Sequence, residues 1–225
     1  MNKYAVIVAG GNGSRMNSEI PKQFMLLKGK PVLYYAIKTF LETYSDCKII
    51  LVLAEEHIGK GQEIVDAFFD YKRILITKGG RTRFHSVQNG LAKIAEDDCV
   101  IFVHDAVRPM LSKSLINRCY ETVIEVGSAI PAIECKDSVR FITENGNETV
   151  DRNKLKLIQT PQTFHSKILL PAFFNIDYKD KFTDEASVVE AFGLKIVLVE
   201  GEEQNVKITK PADFLMVEAL LDAKK

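Results

Sequence analysis

Cations that closely follow glycines are where chemistry can first be placed in this chain. The run Val8-Ala9-Gly10-Gly11-Asn12-Gly13-Ser14-Arg15-Met16 is followed by Pro21-Lys22-Gln23-Phe24. Glycine lets the backbone approach a bulky anion, so that successive N–H groups point at phosphate oxygens. Arg15 and Lys22 then bring full positive charge to the same anion, an arrangement suited to a nucleoside triphosphate and to charge building up at phosphorus. A Walker loop is excluded, because no Gly-Lys-Ser/Thr follows at the required spacing. A dinucleotide fingerprint also fails. Met16 stands where the third glycine belongs, and Glu55 and Glu56 lie far beyond the acidic position expected about 20 residues on. The glycines alone leave two readings open: a long phosphate loop with its own Arg and Lys, or a plain turn with surface cations.

Further charged clusters fall at the ends of other expected strands. Lys78-Gly79-Gly80-Arg81-Thr82-Arg83-Phe84-His85-Ser86 is a second glycine-rich basic loop that opens a helix. His104-Asp105-Ala106-Val107-Arg108-Pro109 follows an apolar strand, and Gln204-Asn205-Val206-Lys207 follows the C-terminal one. Ligands of doubly wound sheets sit beyond the carboxyl ends of the strands, so these clusters are expected to converge. A carboxylate at Asp105 suits Mg²⁺ held against phosphate oxygens; a turn or capping Asp is the plainer alternative. His104 reads as a packed, hydrogen-bonded histidine, because no second His stands at ligand spacing. His57, His85 and His165 are scattered, and Ser86 has no evident base, so no Ser-His-Asp arrangement emerges.

Alternating apolar and amphipathic segments must position these clusters. Strands are expected at Tyr4–Ala9, Lys48–Leu53, Arg73–Thr77, Cys99–Val103 and Ser128–Ile133. Helices are expected at Val32–Tyr44, Glu63–Phe69, Arg83–Ala95 and Ser112–Val126 between them. This alternation predicts an α/β fold, a mainly parallel, doubly wound sheet with helices on both faces. The rhythm breaks where Ser138–Thr143 and Glu148–Asp151 flank Glu144-Asn145-Gly146-Asn147, a hairpin signal. Such a hairpin reads as an oligomer arm, a lid or a surface excursion. Afterwards helices near Ser166–Phe174 and Asp184–Phe192, a strand at Lys195–Val199 and a helix from Ala212 to Leu221 complete one domain over 1–225, its arm at about 136–158.

Thirty basic and thirty acidic residues cancel, which argues against a general nucleic-acid surface and suits a local anion site. Hydrophobic residues make up 46% of the chain, enough for a core, yet no apolar run approaches the length of about 18 that signals a membrane span. The N-terminus runs straight into a strand without a signal-peptide profile. Cys47, Cys99, Cys119 and Cys135 form no C-x-x-C pair and are expected as buried reduced thiols, so the expected location is the cytoplasm.

The motifs taken together resemble a known family. Ala9-Gly10-Gly11-x-Gly13-x-Arg15-Met16, Pro21-Lys22-Gln23, His104-Asp105-Ala106-x-Arg108-Pro109, Thr149-Val150-Asp151-Arg152, Gln159-Thr160-Pro161-Gln162, Thr183-Asp184-Glu185-Ala186 and Asn205-Val206-Lys207-Ile208-Thr209 are similar, in order and spacing, to the 2-C-methyl-D-erythritol 4-phosphate cytidylyltransferases. The first three motifs are shared with neighbouring nucleotidyltransferases. Thr-Val-Asp-Arg and Thr-Asp-Glu-Ala favour this family over ribitol-5-phosphate cytidylyltransferases, the runner-up.

The resemblance implies a nucleotide-diphospho-sugar transferase-like fold, a homodimer, and CTP, an alcohol phosphate and Mg²⁺ as ligands. It implies Arg15 and Lys22 as transition-state stabilisers, with Arg152 and Lys207 positioning the attacking phosphate. The hairpin matches the family's dimer arm, which offers Arg152 to the partner's site. The nucleotide would lie against Ala9, Gly10, Gly11, Gly13, Ser14, Gly79, Gly80, Arg83, Ser86 and Asp105. The alcohol phosphate would lie against Asp105, Arg108, Arg152, Thr160, Thr183 and Lys207. Arg81 departs from relatives that carry an acid there. Two other classes are disfavoured. A non-catalytic nucleotide sensor would not need both Lys22 and Lys207, and an NAD oxidoreductase fails on the missing glycine.

Overall fold

The computed structural model describes residues 1–11 and 20–223, so Gly13, Ser14 and Arg15 lie outside the described residues. In chain order the strands are β1 (Asn2–Ala9), β2 (Leu26–Leu27), β3 (Lys30–Pro31), β4 (Cys47–Leu53), β5 (Ile74–Lys78), β6 (Cys99–Asp105), β7 (Ser128–Glu134), β8 (Val139–Thr143), β9 (Gly146–Val150), β10 (Lys156–Ile158), β11 (Gln162–His165) and β12 (Leu198–Glu200). The helices are α1 (Val32–Thr43), α2 (Ile58–Phe68), α3 (Arg83–Leu91), α4 (Lys113–Val126), α5 (Ser166–Phe174), α6 (Glu185–Ala191) and α7 (Pro211–Asp222).

The main sheet runs β10-β7-β11-β6-β1-β4-β5, with β12 also paired to β7. β1 pairs in parallel with both β4 and β6, and β4 with β5. These strands are nearly continuous apolar runs because both faces are covered. Along β1, Ala5, Ile7 and Ala9 face one helical layer, which includes Leu33, Ile37 and Phe40 of α1 and Leu115, Cys119 and Val123 of α4. Tyr4 and Val6 face the other, which includes Val87 and Leu91 of α3 and Leu169 and Phe173 of α5. A third cluster packs Leu27, Val32, Val107, Met110 and Ile208 against Val217 of α7, and it fixes the C-terminal segment beside β6.

Local signals set several boundaries. Ser112 caps α4 by accepting from the Leu115 N–H, and Gly127 ends it at φ 87°, where a glycine carries no Cβ penalty. Other elements depart from expectation. α2 begins at Ile58 rather than Glu63, although Gly59 and Gly61 weaken its first turn, because Gly61 lets the helix approach Leu53. α3 ends at Leu91, short of Ala95, and the last strand is Leu198–Glu200 instead of Lys195–Val199.

The largest departure is antiparallel. β10 and β11 run against β7, and β11 also pairs with β6, so a strand opposed to its neighbours is inserted into the otherwise parallel order. β8 and β9 pair with each other as the expected hairpin. Its turn places Glu144 and Asn145 between paired Thr143 and Gly146, so Asn-Gly is not the central dipeptide. Gly146, at φ 137°, takes a conformation that side chains rarely adopt. The excursion is also shorter than 136–158, since Lys156–Ile158 returns to the main sheet.

Candidate active site

After β1 the chain adds β4 and β5 on one side, then crosses to place β6 on the other. The carboxyl end of β1 is therefore a switch point, where loops on its two sides diverge and leave a crevice. A cavity of about 450 Å³ opens there, lined by Ala9, Gly10, Gly11, Lys22, Gly80, Arg83, Ser86, Asp105 and Lys207. A second, of about 200 Å³, is lined by Arg108, Gln159, Thr160, Gln162, Thr183 and Asp184. Arg83, Asp105 and Lys207 line both, so they form a shared charged wall.

The loop between β5 and α3 is shaped by its own polar groups. The Gly79 N–H donates to Leu53 O at 2.7 Å, and the Gly80 N–H donates to Ser86 Oγ at 3.1 Å. Ser86 in turn donates to Thr82 O at 3.0 Å, and Thr82 Oγ1 caps α3 by accepting from the His85 N–H. A Cβ on Gly80 would come within 2.4 Å of His85 Cβ and 3.0 Å of its carbonyl carbon, so only glycine fits. On the other side, Gln23 Nε2 donates to Ala9 O at 2.8 Å and to Gly11 O at 3.2 Å. This holds the start of the first glycine loop against Lys22.

Asp105 is the electrostatic centre. Its Oδ1 lies 3.3 Å from Arg83 Nη2, and its Oδ2 lies 2.8 Å from Lys207 Nζ and 3.8 Å from Arg108 Nε. Burial alone would raise its carboxyl pKa, but Arg83, Lys207 and Arg108 outweigh burial and hold it well below the usual range. The Asp105 N–H donates to Thr160 Oγ1 at 3.1 Å, and the same hydroxyl lies 3.0 Å from His104 Nδ1. His104 Nε2 lies 3.3 Å from Arg108 O, which can only accept. The consistent assignment is a neutral imidazole with its proton on Nε2 and the Thr160 hydroxyl donating to Nδ1. Burial lowers the His104 pKa to about 4, in keeping with that neutral form. The expectation of a packed, hydrogen-bonded His104 therefore holds.

Arg108 Nη1 donates to Asn205 O at 2.7 Å, and Asn205 Nδ2 donates to Thr160 O at 2.8 Å. This ties the loop carrying Lys207 to the Gln159–Gln162 segment. Arg108 Nε is buried without a hydrogen-bond partner among the described residues.

Of the residues singled out from sequence, Ala9, Gly10, Gly11, Lys22, Gly80, Arg83, Ser86, Asp105, Arg108, Thr160, Thr183 and Lys207 line the two cavities. Gly79 braces the loop from behind, against Leu53 and Ser86. Arg152 lines neither cavity; it sits past the hairpin, where its Nη1 donates to Lys136 O at 2.7 Å. Cys47, Cys99 and Cys119 are buried as expected, but Cys135 is only partly covered.

Sequence reasoning assigned no role to Glu185, Gln23 or Gln162. Gln162 Nε2 donates to Asp184 Oδ2 and its Oε1 accepts from the Ala186 N–H, both at 2.8 Å. Glu185 is fully buried against Arg83. A carboxylate one residue past a helix cap reads as an ordinary first-turn acid, so nothing in its spacing signals that partner.

The family model for 2-C-methyl-D-erythritol 4-phosphate cytidylyltransferase matches residues 4–223. The enzyme of that name from Bacteroides fragilis is 46% identical over 222 residues, covering 98% of this chain and 100% of its own. The crystal structure of the Francisella tularensis enzyme of that name superposes with a TM-score of 0.81 at 31% identity, over 97% of this chain and 99% of that one. The bifunctional IspDF from Campylobacter jejuni superposes with a TM-score of 0.80 at 31% identity; 95% of this chain corresponds to 53% of that longer chain.

Proposed function

The chain belongs to the 2-C-methyl-D-erythritol 4-phosphate cytidylyltransferase family, and on that premise we propose how its residues carry out the reaction. The enzyme transfers a cytidylyl group from CTP to 2-C-methyl-D-erythritol 4-phosphate, a step of the non-mevalonate route to isoprenoids. A phosphate oxygen of the alcohol attacks the α-phosphorus of CTP. The bond from that phosphorus to the bridging oxygen breaks, and pyrophosphate leaves with the electron pair.

The observation that carries the residue assignment is the wall of Arg83, Asp105 and Lys207 common to two adjoining cavities. CTP occupies the larger, with its triphosphate beneath Gly10 and Gly11 and beside Lys22. The alcohol phosphate occupies the smaller, against Arg108, Thr160 and Thr183. The attacking phosphate is already ionised at neutral pH, so no general base is required. The barrier lies in bringing two anions together, and fixed cations lower it. Lys22 and Arg15 would neutralise the triphosphate and the charge gathering at phosphorus. Lys207 would orient the attacking phosphate, and its contact with Asp105 keeps the ammonium at the junction.

Among the described residues, Asp105 is the sole carboxylate lining the larger cavity, and no three His, Cys, Asp or Glu side chains gather as a metal site. One carboxylate combined with phosphate oxygens and water is a donor set that Mg²⁺ accepts, so the residues fit a cation carried in with the nucleotide. When bound, it supplies positive charge to the phosphates.

The active form is a homodimer. Phe141 and Ile142 of the hairpin and Leu157 of β10 are exposed apolar side chains on the arm and the adjoining sheet edge, which a second copy would cover. Arg152, at the base of that arm, would then serve the partner's alcohol phosphate. Among the described residues no helix is long and apolar enough to cross a membrane, and the enzyme works in the cytoplasm.

The test is pyrophosphate release from CTP with a divalent cation, on addition of 2-C-methyl-D-erythritol 4-phosphate or of ribitol 5-phosphate. Release with the first alone is expected. Lys22→Ala should lower kcat by at least about a hundredfold, the usual loss for one preorganised charge-stabilising donor, with little change in melting temperature. Near-normal turnover in that variant would remove Lys22 from the mechanism.

A further inference from the structure

Glu185 places a carboxyl group deep in the fold, where burial pushes its pKa up and the Arg83 guanidinium opposes that rise. It is 0% exposed, as the first residue of α6, which Asp184 caps. Its carboxylate accepts from two nitrogens of Arg83: Oε1 from Nη1 at 2.5 Å and Oε2 from Nη2 at 3.2 Å. The other side of the same guanidinium faces Asp105 Oδ1, with Nε and Nη2 each at 3.3 Å. Arg83 therefore bridges two buried carboxylates but leans on the more deeply buried one. Replacing a buried ion pair by well-packed apolar groups is often neutral or stabilising, so folding alone does not explain a carboxylate here.

The surroundings fix Glu185 firmly. Gln162 binds both Asp184 Oδ2 and the Ala186 N–H, one residue to either side. Thr183 and Asp184 line the smaller cavity, while Arg83 lines both. The segment 183–185 thus meets the alcohol-phosphate pocket directly and reaches the nucleotide pocket through Arg83.

We propose that Glu185 is a positioning residue that clamps Arg83 in the wall between the two pockets, so that the guanidinium stays shared between Glu185 and Asp105 and does not swing onto a substrate phosphate. The role rests on the placement of CTP and the alcohol phosphate given above. A two-point fork fixes the plane of a guanidinium as well as its distance, which a single contact does not. Without the fork, Arg83 follows the strongest nearby negative charge. In the free enzyme that is Asp105; with substrates bound it is a phosphate. Binding of the anions then survives or improves, because the wall has lost a negative charge. Alignment of the attacking phosphate with the α-phosphorus is lost, and alignment is what turnover depends on.

The test is steady-state kinetics of Glu185→Gln, with calorimetric CTP binding and a melting curve, alongside Arg83→Gln and the double variant. We expect kcat to fall at least tenfold in Glu185→Gln. Both KM values and the CTP Kd should stay within threefold of wild type or tighten, a split that mere loosening of the fold does not give. In the Arg83→Gln background, Glu185→Gln should lower kcat by less than threefold, since its target is already gone. Should Glu185→Gln melt too early to assay, Glu185→Asp keeps the charge but is one methylene too short for the fork; its kcat should also fall at least threefold with KM unchanged. Wild-type turnover in a folded variant, a parallel rise of both KM values, or losses that multiply in the double variant would overturn the clamp. Wild-type enzyme in the same assay separates the cases: if it releases no pyrophosphate, the underlying reaction is at fault and not the role of Glu185.

Discussion

Thr160→Val isolates the one hydroxyl on which the backbone of Asp105 depends. Thr160 is 4% exposed, and its Oγ1 accepts from the Asp105 N–H at 3.1 Å while donating to His104 Nδ1. Valine matches threonine in shape, so the substitution removes the hydrogen bonds and little else. It strands a buried donor and a buried acceptor, each costing about 1–3 kcal/mol, for a total of about 2–6 kcal/mol. For a domain of this size each kcal/mol moves the melting temperature by about 2–4 °C, so a drop on the order of 10 °C is expected. Thr160→Ser keeps the hydroxyl and loses one methyl, which costs about 1 kcal/mol. Urea unfolding of the three proteins at pH 7 measures both differences. A Thr160→Val protein as stable as the wild type, or a Thr160→Ser protein destabilised as much as Thr160→Val, would show that the hydroxyl does not hold the Asp105 backbone. Turnover should follow the same order, since Asp105 sits where three cations meet.

Acid should weaken the fold partly through His104. Burial holds its pKa at about 4, below the model-peptide value of about 6.5, so its contribution is fully present above pH ~6.5 and is lost as pH falls toward 4, by up to about 3 kcal/mol. His104→Asn does not titrate and should show that much less loss between pH 7 and 4 in urea unfolding; identical pH profiles would refute the point. The Asp105 contribution, with its pKa depressed, is present above pH ~3.9 and disappears only below that window. Gly80→Ala forces a Cβ to within 2.4 Å of His85 Cβ, and it should weaken CTP binding at least tenfold by calorimetry. Gly59→Ala, with nothing within 4 Å, should leave binding intact and add up to about 1 kcal/mol to stability. Equal CTP affinity in the two variants would sink the loop argument.

The parallel half of the fold was legible because burial on both faces writes continuous apolar runs. The expected Cys99–Val103 strand ends at Asp105 in the structure only because two polar residues extend a run whose every member is buried. β10 and β11 were not legible. Lys156–Ile158 is three exposed residues long, and Gln162–His165 mixes buried polar with apolar side chains, so neither shows a clear period. That Lys22, Asp105 and Lys207 line one cavity was legible because each follows a strand or a glycine loop, where the fold dictates convergence. Glu185 and Gln162 were missed because their partners lie 102 and 22 or 24 residues away, and only the tertiary fold reveals such pairs.

The strand that violates the parallel order is also what walls the smaller of the two pockets. A doubly wound sheet supplies one crevice at its switch point, enough for a nucleotide. A second ligand needs a wall on the β6 side, where a parallel neighbour would leave only another diverging loop. β11 instead enters beside β6 in the opposite sense, so the Gln159–Pro161 corner arrives at the carboxyl end of β6. From there Thr160 holds the Asp105 N–H, Gln162 holds the start of α6, and Asn205 holds both Thr160 O and Arg108. Each of these bonds is short-range in space and long-range in sequence. The corner thereby braces buried charges that depend on their partners, since an ionised Asp105 or Glu185 without its cations would be strongly unfavourable. Removing the corner should consequently cost more than the sum of its hydrogen bonds, because it also exposes the ion-pair chain from Lys207 through Asp105 and Arg83 to Glu185.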